Sequence, residues 1–137
     1  LERVGDLAVN IAERAFTIVE QEYIPLPKEY FAMAEKVRWM LTRSIDSLVN
    51  TDAALAHRVC ISDDSVDELN QRVYEMLKGE MLREPKYLET LIGYLSVFRQ
   101  LERIADHATN IAEDVIYLIE GQIVRHREPE EGEKRAD

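Results

Sequence analysis

Residues 101–114 read LERIADHATNIAED, and residues 1–14 read LERVGDLAVNIAER. Nine of the fourteen positions are identical, and the pairs Val4/Ile104 and Gly5/Ala105 differ by one carbon. Glu2, Asp6, Asn10 and Glu13 recur as Glu102, Asp106, Asn110 and Glu113. Spacings of i, i+4, i+8 and i+11 hold such a set on one stripe of an α-helix. The stretch is therefore a repeated helix, and its acidic stripe is a candidate metal site.

The rest of the chain supplies partners for these helices. In residues 1–22, Leu1, Val4, Ala8, Ile11, Ala15 and Ile18 recur at spacings of three and four and form one apolar face. Pro25 and Pro27 end that helix, and Pro27 suits the first turn of the next. Residues 28–50 carry a stripe of Tyr30, Ala34, Val37, Leu41, Ile45 and Leu48. Asn50, Thr51 and Asp52 interrupt it and offer an N-cap. Over 52–83, Leu55, Val59, Val66, Leu69, Val73 and Leu77 keep one phase through SDDS at 62–65, which predicts an unbroken helix.

Pro85 opens the last helix, predicted over 85–121. Its core phase is Leu91, Leu95, Phe98, Leu101, Ala105, Ala108, Ala112, Val115 and Ile119, with Gly121 as a stop that IVRH can extend. Such a helix would run roughly 55 Å. No segment alternates with period two. Long helices on short connections predict an all-α fold, an antiparallel helix bundle. From Arg127 the tail is charged, and 127–137 is expected to be disordered.

Composition limits the function. The 137 residues carry 17 basic and 27 acidic side chains, a net charge of −10. That balance disfavours nucleic acid as a partner and suits cation binding or plain solubility. The single cysteine, Cys60, excludes an intrachain disulfide and fits a reducing cytoplasm. No apolar run reaches the ~20 residues that span a bilayer. The chain opens on the motif itself at Leu1, so we expect a C-terminal piece of a longer protein.

The helical phase puts Glu102, Asp106 and Glu113 on an outer face, away from the core stripe. A solvated surface stripe is the plain alternative. Like charges at i, i+4 repel, however, and the same pattern stands in both copies. Asp63 and Asp67 form another i, i+4 acidic pair. If the third helix packs beside the fourth, Asp63, Asp67, Glu102 and Asp106 meet in one patch. Oxygen-only ligands of this kind suit magnesium, manganese, calcium or oxidised iron rather than a closed zinc site. Asn110 and Glu113 would lie at its margin.

Other chemistries find less support. A ferritin-like di-iron oxidase, or another carboxylate-bundle metalloenzyme, needs inward carboxylates with Glu-x-x-His pairs. None of His57, His107 and His126 has Glu three residues before it. His107 reads as an exposed histidine. Cys60 lacks an activating base, and no phosphate-cradling glycine loop is present. Tyr74, Tyr94 and Trp39 read as packing residues.

LERVGDLAVNIAER and LERIADHATNIAEDVIYLIEG resemble the signature helices of the PhoU family, bacterial regulators of phosphate transport and phosphate signalling. SDDSVDEL at 62–69 resembles the acidic pair on a neighbouring helix of the family repeat. The likeness covers residues 1–126. It implies two three-helix repeats, with 1–22 the last helix of an incomplete first repeat and 28–126 a complete second one. It also implies surface metal sites held by Asp63, Asp67, Glu102 and Asp106, and in the first repeat by Glu2 and Asp6, whose partner helix is not in the chain. Iron, manganese or magnesium would be the ion, zinc less so.

The function implied is a non-enzymatic cytoplasmic adaptor, a homodimer that does not span the membrane. It would link the ATPase of a phosphate ABC transporter to a sensor histidine kinase and negatively regulate phosphate uptake. A PhoU-like cytosolic domain of a sodium–phosphate cotransporter is the alternative within the same resemblance. The uncovered apolar face of the first helix is expected to fold onto the other helices or to pair with a second copy.

Overall fold

The computed structural model describes residues 1–21 and 24–121, and the backbone of 122–127. Four α-helices follow in order: α1 (Glu2–Val19), α2 (Lys28–Val49), α3 (Ala53–Arg83) and α4 (Leu88–Arg127). A single 3-10 turn, Pro85–Tyr87, precedes α4, and no strand occurs among the described residues. The expected disorder of the tail beyond Arg127 lies outside those residues.

Helix α4 organises the bundle. It packs against each of the other three, whereas among the described residues α1 packs on α4 alone. Its 40 residues reach past Gly121 and would measure about 60 Å. Gly121 does not stop it because a lone glycine inside a helix costs only about 1 kcal/mol.

Helix α3 matches its sequence pattern closely. Asp52 caps it, accepting a hydrogen bond from the Leu55 amide at 2.9 Å. Leu55, Val59, Val66, Val73 and Leu77 are buried, and SDDS lies within the unbroken helix. Ser62 and Ser65 there return their hydroxyls to the carbonyls of Arg58 and Ser62, which keeps these poor helix formers satisfied.

Helix α2 differs from expectation by about one position. Tyr30 and Val37 are buried, but so are Met33, Met40, Ser44 and Ser47, while Ala34 and Leu48 are exposed. The two serines are small enough to let neighbouring helices approach. Their hydroxyls donate to the Leu41 and Ser44 carbonyls at 2.8 and 2.7 Å, so neither is buried unpaired. An apolar-only stripe misses such positions.

The turn after α2 explains why the helix ends where it does. The Asp52 amide reaches back to the Ser47 carbonyl at 2.9 Å, and Thr51 takes φ 51° between them. This is a Schellman closure, built on a threonine where glycine is usual.

Helix α1 also turns from the expected face. Val4, Leu7, Ile11 and Ile18 pack toward the core, whereas Leu1, Ala8 and Ala15 are exposed. Two apolar surfaces therefore compete on one helix. The surface with Leu7 meets α4, and the other, with Val9, Phe16 and Val19, is uncovered.

Aromatic contacts tie the α1–α2 connection down. Tyr30 stands edge-on to Tyr94 and Phe98, with centroids 5.8 and 5.2 Å apart. The Tyr30 hydroxyl donates to the Tyr94 carbonyl, and the Tyr94 hydroxyl donates to the Ile24 carbonyl at 2.5 Å. Burial pushes the Tyr30 phenol far above its ordinary range, with Tyr94 adding to the effect. Of the three aromatics read as packing residues, Tyr94 is buried, while Trp39 and Tyr74 are exposed.

Candidate functional site

Helices α3 and α4 run antiparallel, and their pairing decides which acids meet. Cys60 lies near Glu113, and Asp63 lies near Asp106 and Thr109. Asp67 therefore falls beside both Glu102 and Asp106. The four carboxylates lie within electrostatic reach of one another along the seam of the two helices. The i, i+4 spacing on each helix aligns two acids along that seam.

Their electrostatics are those of crowded like charges. Burial raises Asp63 above the usual carboxylate range, and the charges of Asp67, Asp106 and Asp64 raise it further. Glu102 is raised by burial, then by Asp106 and Asp67, against a lowering from Arg99. Asp106 is raised by the packing around it and by Asp67, while His107 lowers it. Burial and the charges of Glu113 and Asp63 also raise the Cys60 thiol, which suits an unreactive cysteine.

One atom separates this patch from an ordinary acidic surface. Asp63 Oδ1 is buried and has no hydrogen-bond partner. The nearby Thr109 hydroxyl donates to the Ala105 carbonyl at 3.1 Å. A buried carboxylate oxygen without a donor is costly, and a cation is one group that satisfies it. The donor set, all oxygen and all anionic, fits a hard ion. Among the described residues, no three of His, Cys, Asp and Glu converge closely enough to enclose an ion.

The first-copy acids are placed differently. Glu2 and Asp6 are exposed on α1. Asp6 lines a cleft of about 400 Å³ with Arg3, Leu7, Arg103, Asp106 and His107. Asp6 thus lies beside the second-copy patch rather than in isolation. His107 is half-buried in this cleft, not exposed as its position suggested. A second cleft, between α3 and α4, is lined by Asn70, Gln71, Tyr74, Leu95, Arg99, Glu102, Arg103 and Asp106. The arginines and Thr109 were passed over in sequence, although Arg3 and Arg103 belong to the identical positions of the repeat.

Comparison with known proteins follows the same lines. Residues 32–115 match the PhoU domain family. A "Phosphate-specific transport system accessory protein PhoU homolog" from Clostridium acetobutylicum is 37% identical over 124 residues, covering 90% of this chain and 57% of that protein. Its counterpart in Aquifex aeolicus is 41% identical over 127 residues, covering 93% and 58%. The crystal structure of PhoU from Pseudomonas aeruginosa superposes with a TM-score of 0.84 at 35% identity, covering 88% of this chain and 58% of that one. The chain thus spans little more than half the length of these relatives. With sequence, helix order and tertiary arrangement in agreement over most of its length, the chain belongs to the PhoU family.

Proposed function

We propose that this chain is part of a regulator of phosphate transport whose α3–α4 seam binds a hard cation through Asp63, Asp67, Glu102 and Asp106. The observation that carries the reading is Asp63 Oδ1, buried without a donor among carboxylates that raise one another's pKa. Magnesium, manganese or iron suits the ligand set. Bound there, the ion would neutralise the seam and hold α3 against α4. Glu2 and Asp6, with Asp6 facing Asp106 across α1 and α4, would support the ion's outer surroundings rather than hold it alone.

The chain acts as an adaptor rather than an enzyme. The relatives are named accessory proteins of a phosphate-specific transport system. On this reading it works in the cytoplasm as a homodimer. It links the ATPase of a phosphate ABC transporter to a sensor histidine kinase and restrains phosphate uptake when phosphate is ample. No helix among the described residues is long and apolar enough to cross a membrane, which is consistent with a peripheral role.

The test is bound metal by mass spectrometry in the wild type and in a Glu102→Ala, Asp106→Ala double variant. The reading expects metal to be retained by the first and lost by the second. Equal content in both would contradict it.

A further inference from the structure

The cleft between α1 and α4 carries two arginines that the cation site does not use. Its six lining residues are three repeat-related pairs: Arg3 and Arg103, Asp6 and Asp106, Leu7 and His107. The two helices cross antiparallel there, since Ile18 and Arg14 lie against Gly93 while Arg3 and Asp6 lie against the 103–107 turn. The cleft therefore lies on the local two-fold axis of the repeat, and the same cation enters it from both helices. Arg99 stands in the adjoining cleft, which shares Arg103 and Asp106 as its wall.

We propose that Arg3 and Arg103, supported by Arg99, bind a small oxyanion of the phosphate class in this cleft. None of the three arginines forms an ion pair among the described residues, although acids surround them. Guanidiniums are always charged and offer forked N–H donors that match tetrahedral oxyanions. Two presented from different helices can grip one ion from two sides. The net charge of −10 repels extended polyanions, so a small ion fits better than a nucleic acid.

Charge balance then links this cleft to its neighbour, and in this respect the proposal rests on the cation reading. Three guanidiniums face three acids, Asp6, Glu102 and Asp106, across the two clefts. A cation taken up by Glu102 and Asp106 leaves Asp6 alone against the three. The anion should then bind more tightly when the cation is present, and by linkage the cation more tightly when the anion is present.

The experiment titrates inorganic phosphate into the 137-residue chain by calorimetry, with and without saturating magnesium, against protein-free blanks. The same titrations use an Arg3→Gln, Arg103→Gln variant, both sites being exposed, with circular dichroism as the fold check. Phosphate affinity should fall at least tenfold in the variant while magnesium affinity in phosphate-free buffer is kept. Sulfate should compete as a tetrahedral oxyanion of similar size. Equal phosphate affinity in variant and wild type, or none in the wild type under either condition, would overturn the proposal. If magnesium does not bind but phosphate does, and is lost in the variant, the anion site stands and the cation reading falls.

Discussion

At Asp63, a buried carboxylate oxygen without a hydrogen-bond partner stands among other carboxylates. Asp63, Glu102 and Asp106 all hold their protons more tightly in the fold than an isolated carboxylate does. A raised folded pKa favours the fold in acid, below the unfolded values near ~4, and that contribution is lost as pH rises through the raised values. At neutral pH the repulsion is fully present. Asp63→Asn should therefore stabilise the metal-free chain at pH 7 by roughly 0.5 kcal/mol. The gain should shrink as pH falls toward the ordinary carboxylate range, as followed by urea melts at several pH values. A loss of stability at pH 7 would mean that the charge is already compensated within the chain.

Thr51 offers a second test at this scale. Its left-handed backbone is strained for a β-branched residue. Thr51→Gly should stabilise the fold by about 1 kcal/mol, read from the same melts. Sequence reading marked residues 50–52 as an interruption but could not assign the positive φ, because threonine gives no hint of it. The pairing of the four acids, in contrast, was legible: each i, i+4 pair fixes a helix face, and only the register between α3 and α4 remained to be supplied. The orphaned Asp63 oxygen was not legible, since it depends on where Thr109 sends its hydroxyl proton.

Among the elements, α1 is held least firmly, because among the described residues it packs on α4 alone. At Gly93 the two helices come close together. A Cβ there would lie 2.8 Å from Ile18 Cγ1, well inside contact distance. Gly93→Ala should thus loosen the end of α1 while leaving α2–α4 packed. Hydrogen exchange should show reduced protection over residues 8–19 with protection in α3 unchanged. Uniform destabilisation would contradict this division. The phases of α3 and α4 could be read from sequence because their apolar stripes are unambiguous. Those of α1 and α2 could not be fixed so well. Helix α1 carries two apolar faces, and α2 buries Ser44 and Ser47, whose hydroxyls are satisfied by their own helix.

For the whole molecule, the pairing of the repeat helices explains both what is buried and what is not. On α4, Ala105, Ala108, Ala112 and Val115 are buried in the core. Their counterparts on α1 are Gly5, Ala8, Ala12 and Ala15, all exposed, and Phe16 and Val19 beside them are exposed by 78% and 83%. An apolar face of this kind favours association. Sedimentation of the 137-residue chain should show concentration-dependent self-association that Phe16→Ser and Val19→Ser together weaken. A strict monomer at all concentrations would contradict it. The repeat itself was visible in sequence, but which face of α1 meets α4 follows only from the three-dimensional competition between its two faces.

The α3–α4 seam is the proposed cation site. Crystals soaked in manganese, with diffraction collected on both sides of its absorption edge, test this most directly. The account predicts an anomalous peak bounded by Asp63, Asp67, Glu102 and Asp106, with Asp63 Oδ1 turned toward it. Manganese found only elsewhere on the surface, or no peak at the seam in a well-ordered soaked crystal, would contradict it.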